Sequence, residues 1–597
     1  MARLLLLVAS VALLALAAAV PAVAHSAVHP LARVQVHNIQ KKLDGGVISI
    51  DATILNGTGN TVTVSWSGMS SHYPGNQDWI GVWSPKPDDY TKTSPAKYKF
   101  VTPDTTGSGS TSFWLVNMRA SYVVAYFTNG QAQPQLLAES APVEFSNYEV
   151  PMQLHLALTN DPTQMRVNWN SVKVGFPSVQ WGLSADNLNN TVIQVLSNTY
   201  AASDMCGAPA TTVGWHEPGY QHSALLQGLP FNTKIYYQVG AESSASKSDV
   251  LYFWSPLDPA SREAEFIIFG DLGQVETDGS NEASQMDGSI LTTLAMAKDF
   301  ADGSVRLDKS AAVFHIGDLS YARGYATIWE QFFYQLSPLS PYVPWMTVDG
   351  NHERDFPSSG SAWSVEDSGG ECGVAMTKRF SMPNTGNTSA TWWSLDFGPV
   401  HFAIISTELD FSKGSEQLNW LAKDLAAVDR TKMPFVILAG HRPMYIDSTN
   451  DSPNGGDLSV GALLIENVEP LLLQYQVDAA FWGHHHSMQR TCPVQNFTCV
   501  DQSKAPIHIV TGAAGAGFST NLQSPQPKWI EFVEDNTHGY IRAKVAPNAA
   551  SLTFDFISDN DRSVMDSVTI LNKFAKHGEA KAPTARRQRR TEFVAQE

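Results

Sequence analysis

Basic charge is in short supply in this 597-residue chain: 39 Lys and Arg stand against 57 Asp and Glu, a formal net charge of −18. A field of that sign argues against a nucleic-acid partner. Any phosphate site must therefore make its own local positive charge, which bound metal ions would do. Cysteine is scarcer, with only Cys206, Cys372, Cys492 and Cys499, and their spacing is not that of a zinc knuckle. After the first 24 residues no apolar run is long enough to cross a bilayer, so no stable membrane anchor is expected. Familiar catalytic signatures are missing too. His352-Glu353 does not open a zincin helix, because position 356 is Phe. Gly512 to Gly517 has the wrong glycine spacing for a dinucleotide fingerprint, and no P-loop Gly-Lys-Ser/Thr follows, so it reads as a loop lining a site. Wholesale disorder is disfavoured by 43% hydrophobic and 10% aromatic content.

What is present begins with a secretory signal over 1–24: Arg3, an apolar run from Leu4 to Val20, and small residues at Ala22-Val23-Ala24. A secreted, extracellular protein follows, with a cell wall or vacuole-type compartment also fitting. Sequons at Asn56, Asn189, Asn387, Asn450 and Asn496 agree with that route. An even cysteine count there suggests disulfides. Cys492 and Cys499, close in sequence, are the natural pair, leaving Cys206 with Cys372, although four cysteines allow three connectivities.

The length suggests several domains. Residues 25–150 read as an N-terminal β-domain, with alternation in Val47 to Ala52 and Thr61 to Trp66 around a turn at Asn56-Gly57. Residues 151–258 read as a fibronectin III-like β-sandwich, from Gln153 to Leu158, Met165 to Trp169 and Lys234 to Val239. Pro256 to Pro259 is a linker. From 262 to 572 the texture changes. Continuous apolar runs at Glu265 to Phe269, Ala312 to Ile316, Phe402 to Ile405, Phe435 to Leu438, Ala479 to Trp482 and Ile507 to Val510 suit strands covered on both faces. Helical stretches alternate with them. Ser415 can cap one with an apolar stripe at Leu418, Leu421, Leu425 and Val428. This is a layered α/β domain. A basic tail, 573–597, carries Arg586-Arg587-Gln588-Arg589-Arg590 and reads as a solvated segment or a dibasic processing site.

Five apolar runs of the α/β domain end in potential metal ligands: Gly270-Asp271-Leu272-Gly273, Gly317-Asp318-Leu319-Ser320-Tyr321, Gly350-Asn351-His352-Glu353, Gly440-His441 and Gly483-His484-His485-His486. Each alone reads as a turn or a loop. Five in order at strand ends, where sites of such folds gather, read as a dinuclear centre. Asp318 is the candidate bridge. Asp271, Tyr321 and His486 complete one site, and Asn351, His441 and His484 the other. The first is anionic and suits a hard trivalent ion, with iron the obvious candidate. The second is neutral beyond the bridge and suits divalent zinc, manganese or iron. A metal-bound hydroxide would be the nucleophile, with activity below neutral pH. His352, adjacent to Asn351, is assigned to the phosphate oxygens or to leaving-group protonation, with Glu353 orienting it. Asn351 and His352 are the candidate substrate contacts. His485 is expected to point away.

These residues resemble the plant-type, high-molecular-weight purple acid phosphatases of the calcineurin-like metallophosphoesterase superfamily. Asp204-Met205-Cys206-Gly207, Asp367 to Val374 and Arg490-Thr491-Cys492-Pro493 carry the resemblance beyond the five segments. It implies β-sandwich domains followed by an α/β, two-sheet, four-layer metallophosphoesterase domain. It also implies the same seven ligands, with ferric iron at Tyr321. Protein Ser/Thr phosphatases share Gly-Asn-His-Glu but place a His where this chain has Leu272-Gly273. Two departures stand out. The fourth motif reads Leu438-Ala439-Gly440-His441, and a histidine pair of many relatives is replaced by Asn450-Asp451. The expected activity is hydrolysis of small phosphate monoesters or anhydrides by a secreted acid phosphatase. The alternatives are a phosphodiesterase or nucleotide pyrophosphatase with the same metals, and a binding module with a vestigial site. The sandwich domains are expected to be structural or to support a homodimer.

Overall fold

The computed structural model describes residues 28–43, 46–69, 77–104, 106–241, 247–282, 286–309, 311–383 and 391–574. The signal segment, the sequon at Asn387 and all but the first two residues of the basic tail lie outside them.

Alternation builds the first β unit. Val47–Ile50, Asn60–Ser67 and Gly109–Leu115 form a three-stranded sheet. Val62, Val64 and Trp66 turn inward against Ile80, Val82 and Tyr126 of a five-stranded sheet. In that second sheet Trp79–Trp83 and Val123–Thr128 are buried throughout. Their other face, with Trp79, Trp83 and Phe127, packs with Ile267 and Phe269 of the α/β domain. A strand with two dry faces needs apolar residues at every position, which is what Trp-Ile-Gly-Val-Trp supplies. The second unit packs two four-stranded antiparallel sheets face to face, the sandwich arrangement.

The α/β domain is also two sheets. The six-stranded one runs Trp345–Val348, Ala312–Ile316, Glu265–Phe269, Gly539–Val545, Ser551–Ser558, Val564–Leu571, with the first three parallel. The seven-stranded one holds Val400–Ile404, Phe435–Ala439, Ala479–Trp482 and Ile507–Thr511 as neighbours in parallel. Phe266, Phe314, Phe402, Phe481 and Phe554 fill the space between the sheets. Helices cover the outer faces, giving the four-layer order expected. Glu416–Ala427 shows how locally this is written: Ser415 accepts from the Leu418 N–H at 3.2 Å, and Leu421 and Leu425 are buried.

Both disulfides form as paired above, Cys206–Cys372 and Cys492–Cys499. Buried ion pairs tie the units together. Arg119 meets Glu330 through two bonds of 2.7 Å. Lys97, 1% exposed, pairs with Glu276 and, at 3.4 Å, with Asp278. Among the described residues no helix is long and apolar enough to cross a membrane.

Candidate metal centre

Parallel strands deliver the five segments to one place. Glu265–Phe269, Ala312–Ile316 and Trp345–Val348 lead into Asp271, Asp318 and Asn351. Phe435–Ala439 and Ala479–Trp482 of the other sheet lead into His441 and His484. The chain must turn sharply on leaving each strand, and Asp271, Asp318, Tyr321 and His484 all take left-handed φ, 63°, 52°, 54° and 68°. The glycines before the ligands allow close approach: a Cβ on Gly350 would lie 2.2 Å from Asp318 Oδ1, and one on Gly483 2.5 Å from Asp271 Oδ2.

The seven candidates converge. Ligand atoms of Asp271, Asp318 and His486 lie within 4.8 Å of one another, and so do those of Asp318, His441 and His484. Asp318 belongs to both triads. Tyr321 Oη donates to Asp271 Oδ1 at 3.2 Å and lies 2.8 Å from His486 Nε2. Asn351 Oδ1 is 2.9 Å from both His441 Nε2 and His484 Nδ1.

Outer contacts aim these atoms. His441 Nδ1 donates to the Ile316 carbonyl at 3.1 Å and His486 Nδ1 to the Gly517 carbonyl at 2.5 Å, so each presents Nε2 to the centre. Asn351 Nδ2 donates to Asp367 Oδ2 at 2.9 Å, which turns its oxygen inward. His484 Nε2 faces Arg442 Nη1 at 3.0 Å and Asp457 Oδ1 at 3.4 Å, leaving Nδ1 for the site. The Gly512–Gly517 loop lines the centre, as read. His485 turns away to Ser487 Oγ at 2.7 Å.

The donor set fits cations. In the field of the protein's own charges, burial and then Asp271 and Asp318 push the Tyr321 phenol well above its usual range. A phenolate here therefore requires a strong Lewis acid beside it. Burial raises the Asp318 carboxyl, but His441 and His352 offset this and hold it well below the carboxylate range. A buried, ionised bridge is thus available.

His352 sits beside the centre, its Nε2 3.8 Å from Asp318 Oδ2 and its Nδ1 donating to the Asp367 carbonyl at 3.0 Å. Glu353 does not orient it. Its carboxylate accepts from the N–H groups of Asp318, Leu319 and Gly350 at 2.9, 2.8 and 3.0 Å and so braces the loops of two ligands. The capping position three residues after Gly350 explains why. Sequence reading also missed Arg442, buried and paired with Glu408 and Asp355 at 2.8 and 2.9 Å. Its place next to His441 was the available signal. Asn450 is exposed, and its N–H donates to Ser448 Oγ, which donates to Asp457. Asn56, Asn189 and Asn496 are exposed as well.

Family models match along the chain in order. A Fn3-like domain from purple acid phosphatase covers 48–147, which puts the fibronectin description on the first β unit. A purple acid phosphatase N-terminal domain covers 151–255, a calcineurin-like phosphoesterase 264–488, and an iron/zinc purple acid phosphatase-like protein C 505–567. A protein of Arabidopsis thaliana named probable inactive purple acid phosphatase 1 is 35% identical, over 91% of this chain and 92% of its own. A nucleotide pyrophosphatase/phosphodiesterase of Hordeum vulgare is 35% identical, over 55% of this chain and 90% of its own. The purple acid phosphatase PPD1 of yellow lupin superposes with TM-score 0.79 at 32% identity, over 88% of this chain and 96% of that one.

Proposed function

This chain belongs to the purple acid phosphatases, and from that premise we propose that it is an active hydrolase of phosphate monoesters or anhydrides with an acidic optimum. The observation that carries the proposal is the pair of triads sharing Asp318, each within 4.8 Å. Asp271, Asp318, Tyr321 and His486 would hold ferric iron, since three of the four are anionic. Asp318, Asn351, His441 and His484 would hold a divalent ion, zinc, manganese or iron. The two ions would supply Lewis-acid charge to the phosphate and acidify the attacking water below neutral pH.

The residues supply the rest. Asp318 keeps the two sites in register. Asn351 offers its oxygen to the centre while Asp367 holds its nitrogen. His352 projects Nε2 beside the bridge, where a leaving oxygen would need a proton. The disulfides suit an oxidising compartment, so export along the secretory route is part of the proposal, with glycans on the exposed sequons.

A diesterase reading is favoured by the barley relative's name alone. Paired assays on 4-nitrophenyl phosphate and its bis-ester, with metal analysis of the native glycoprotein, decide. The expected result is about two metals per chain, one of them iron, and turnover of the monoester ahead of the diester. Protein that binds no iron and turns over neither ester sinks the proposal and leaves a vestigial site.

A further inference from the structure

Asp367 meets two side chains of the centre at once. Its Oδ2 accepts from Asn351 Nδ2 at 2.9 Å, and its carbonyl accepts from His352 Nδ1 at 3.0 Å. Both partners stand on Asn351–Arg354, a helical turn of four residues, too short to hold itself. The loop that Asp367 begins, 367–373, runs along that turn and supplies the hold. The Ser368 N–H donates to the Asp355 carbonyl at 3.0 Å, and the Gly373 N–H to the Glu353 carbonyl at 2.7 Å. Asp355 pairs with Arg442 at 2.9 Å, and Arg442 Nη1 faces His484 Nε2 at 3.0 Å. The contacts thus reach a second ligand assigned to the same site.

The other side of the loop belongs to the second β unit. The Cys206 N–H donates to the Gly370 carbonyl at 2.8 Å, the Ala210 N–H donates to the Gly369 carbonyl at 3.1 Å, and Cys206 is bonded to Cys372. The two backbones are so near that a Cβ on Gly370 would stand 2.3 Å from the Gly207 carbonyl oxygen. Toward the other metal site the loop touches the Tyr321 turn past its ligand, where the Gly324 N–H donates to Glu371 Oε1 at 3.2 Å. Asp271 and His486 are held from elsewhere. The Asp271 N–H donates to the Gly317 carbonyl at 3.1 Å, and the His486 N–H to Ser519 Oγ at 2.9 Å.

We propose that Asp367 is a positioning residue for the divalent site, aiming Asn351 and His352 together, and that the second β unit serves the centre by fixing loop 367–373 through residues 206–210. This rests on the two-metal reading above. An asparagine amide can present either its oxygen or its nitrogen. A carboxylate only accepts, so Asp367 takes the nitrogen and leaves the oxygen for a cation. The second β unit then does more than add structure or support a dimer: it sets one half of the metal centre and not the other.

The test uses the full-length glycoprotein loaded with iron and zinc, with Asp367→Ala, Asp367→Asn and the pair Cys206→Ser with Cys372→Ser. Dialysis against a chelator, read by elemental analysis, gives the affinity for each metal. Hydrogen exchange follows the His352 amide, which donates to Asp318 Oδ1 at 3.0 Å. Asp367→Ala should weaken zinc binding about 10- to 100-fold, as loss of a ligand's outer partner does, while iron and its visible band stay. Asp367→Asn keeps an accepting oxygen and should recover part of the loss. The serine pair should weaken zinc more than iron with Asp367 in place, and should speed exchange at His352. Phosphine reduction of the folded parent makes the same cut if the serine pair does not fold. Zinc affinity unchanged in Asp367→Ala, or iron lost equally with zinc, overturns the role of Asp367. Exchange at His352 unchanged by the cut overturns that of the second β unit. If the parent binds neither metal, the two-metal reading fails, and exchange at His352 in Asp367→Ala and in the serine pair still decides whether the loop holds the turn.

Discussion

Glu353→Gln tests how the two sites are held in register. Glu353 is 1% exposed and receives three backbone N–H groups, two on Oε2 and one on Oε1. An amide has one accepting oxygen. If that oxygen keeps Asp318 and Gly350, the new NH2 group confronts the Leu319 N–H, donor against donor. An orphaned buried donor costs about 1–3 kcal/mol, and the two retained bonds lose the strength a charged acceptor gave, for about 2–4 kcal/mol in all. That strain falls on the loops of Asp318 and Asn351, so it should appear as weaker metal binding, about 30- to 1000-fold. Chelator-competition dialysis measures the affinity, and hydrogen exchange of the Leu319 amide reports the lost bond. Metal affinity within threefold of the parent, with Leu319 still protected, would refute the bracing role. A fall in turnover at unchanged metal affinity would instead restore the sequence expectation that Glu353 serves His352.

Tyr321→Phe should abolish the visible charge-transfer band of the iron-loaded protein, and a retained band would show that another residue supplies the anion. Asp318→Asn should strip most of both metals, measured by elemental analysis, since it is the member common to both triads. Lys97→Met would leave the buried Glu276 carboxylate without its cation, at a cost of about 3–5 kcal/mol, while Asp278 keeps Lys99 at 3.9 Å and the Trp114 N–H at 2.8 Å. Faster hydrogen exchange over 274–282 should follow, and unchanged exchange there would mean the pair holds nothing in place. His401 offers a pH test. Burial lowers its pKa, but bonds to Asp396 and Asp424 at 2.7 and 2.9 Å outweigh this and raise it from 6.5 to about 9. A raised histidine stabilises the fold fully below pH 6.5 and ceases to as pH climbs through 9, for about 3 kcal/mol. Urea unfolding between pH 6 and 9.5 should show that loss in the parent and not in His401→Gln.

The seven candidates were legible because each closes an apolar run of the kind that makes a doubly covered strand, and such strands in parallel place their ends together. The same logic gave the layers, since Phe266, Phe314 and Phe481 belong to uninterrupted runs. What was not legible depends on pairings across long stretches of chain. Lys97 and Lys99 sit in a strand flanked by aromatics, and only docking onto a loop 179 residues later makes burying Lys97 tolerable. His29 stacks on Tyr325, 296 positions later, and no local pattern links them. Glu353 was assigned to its sequence neighbour His352, whereas the start of a helical turn points its side chain back to the N–H groups preceding it.

The cost of the centre bears on whether it is in use, a question the word inactive in a relative's name raises. Four of the seven candidates hold left-handed backbone that glycine or asparagine would adopt more cheaply, at about 1–2 kcal/mol each. Asp271, Asp318 and Glu353 bring three carboxyls into one buried space, each 1% exposed or less. Burial, then Asp318, pushes the Glu353 carboxyl up, and the Leu319 and Gly350 N–H groups work against that by favouring its charged form. Arg442 does not neutralise them, since Asp355 and Glu408 already engage it. A chain with no cation there would gain stability by replacing almost any of these groups. Two multivalent cations reverse the sign of that balance, because the crowded anions then become the binding energy. Removing metal from the native protein should therefore lower its unfolding temperature. An apo-protein as stable as the loaded one would mean that the anions are satisfied without metal, and the proposed activity would lose its physical footing.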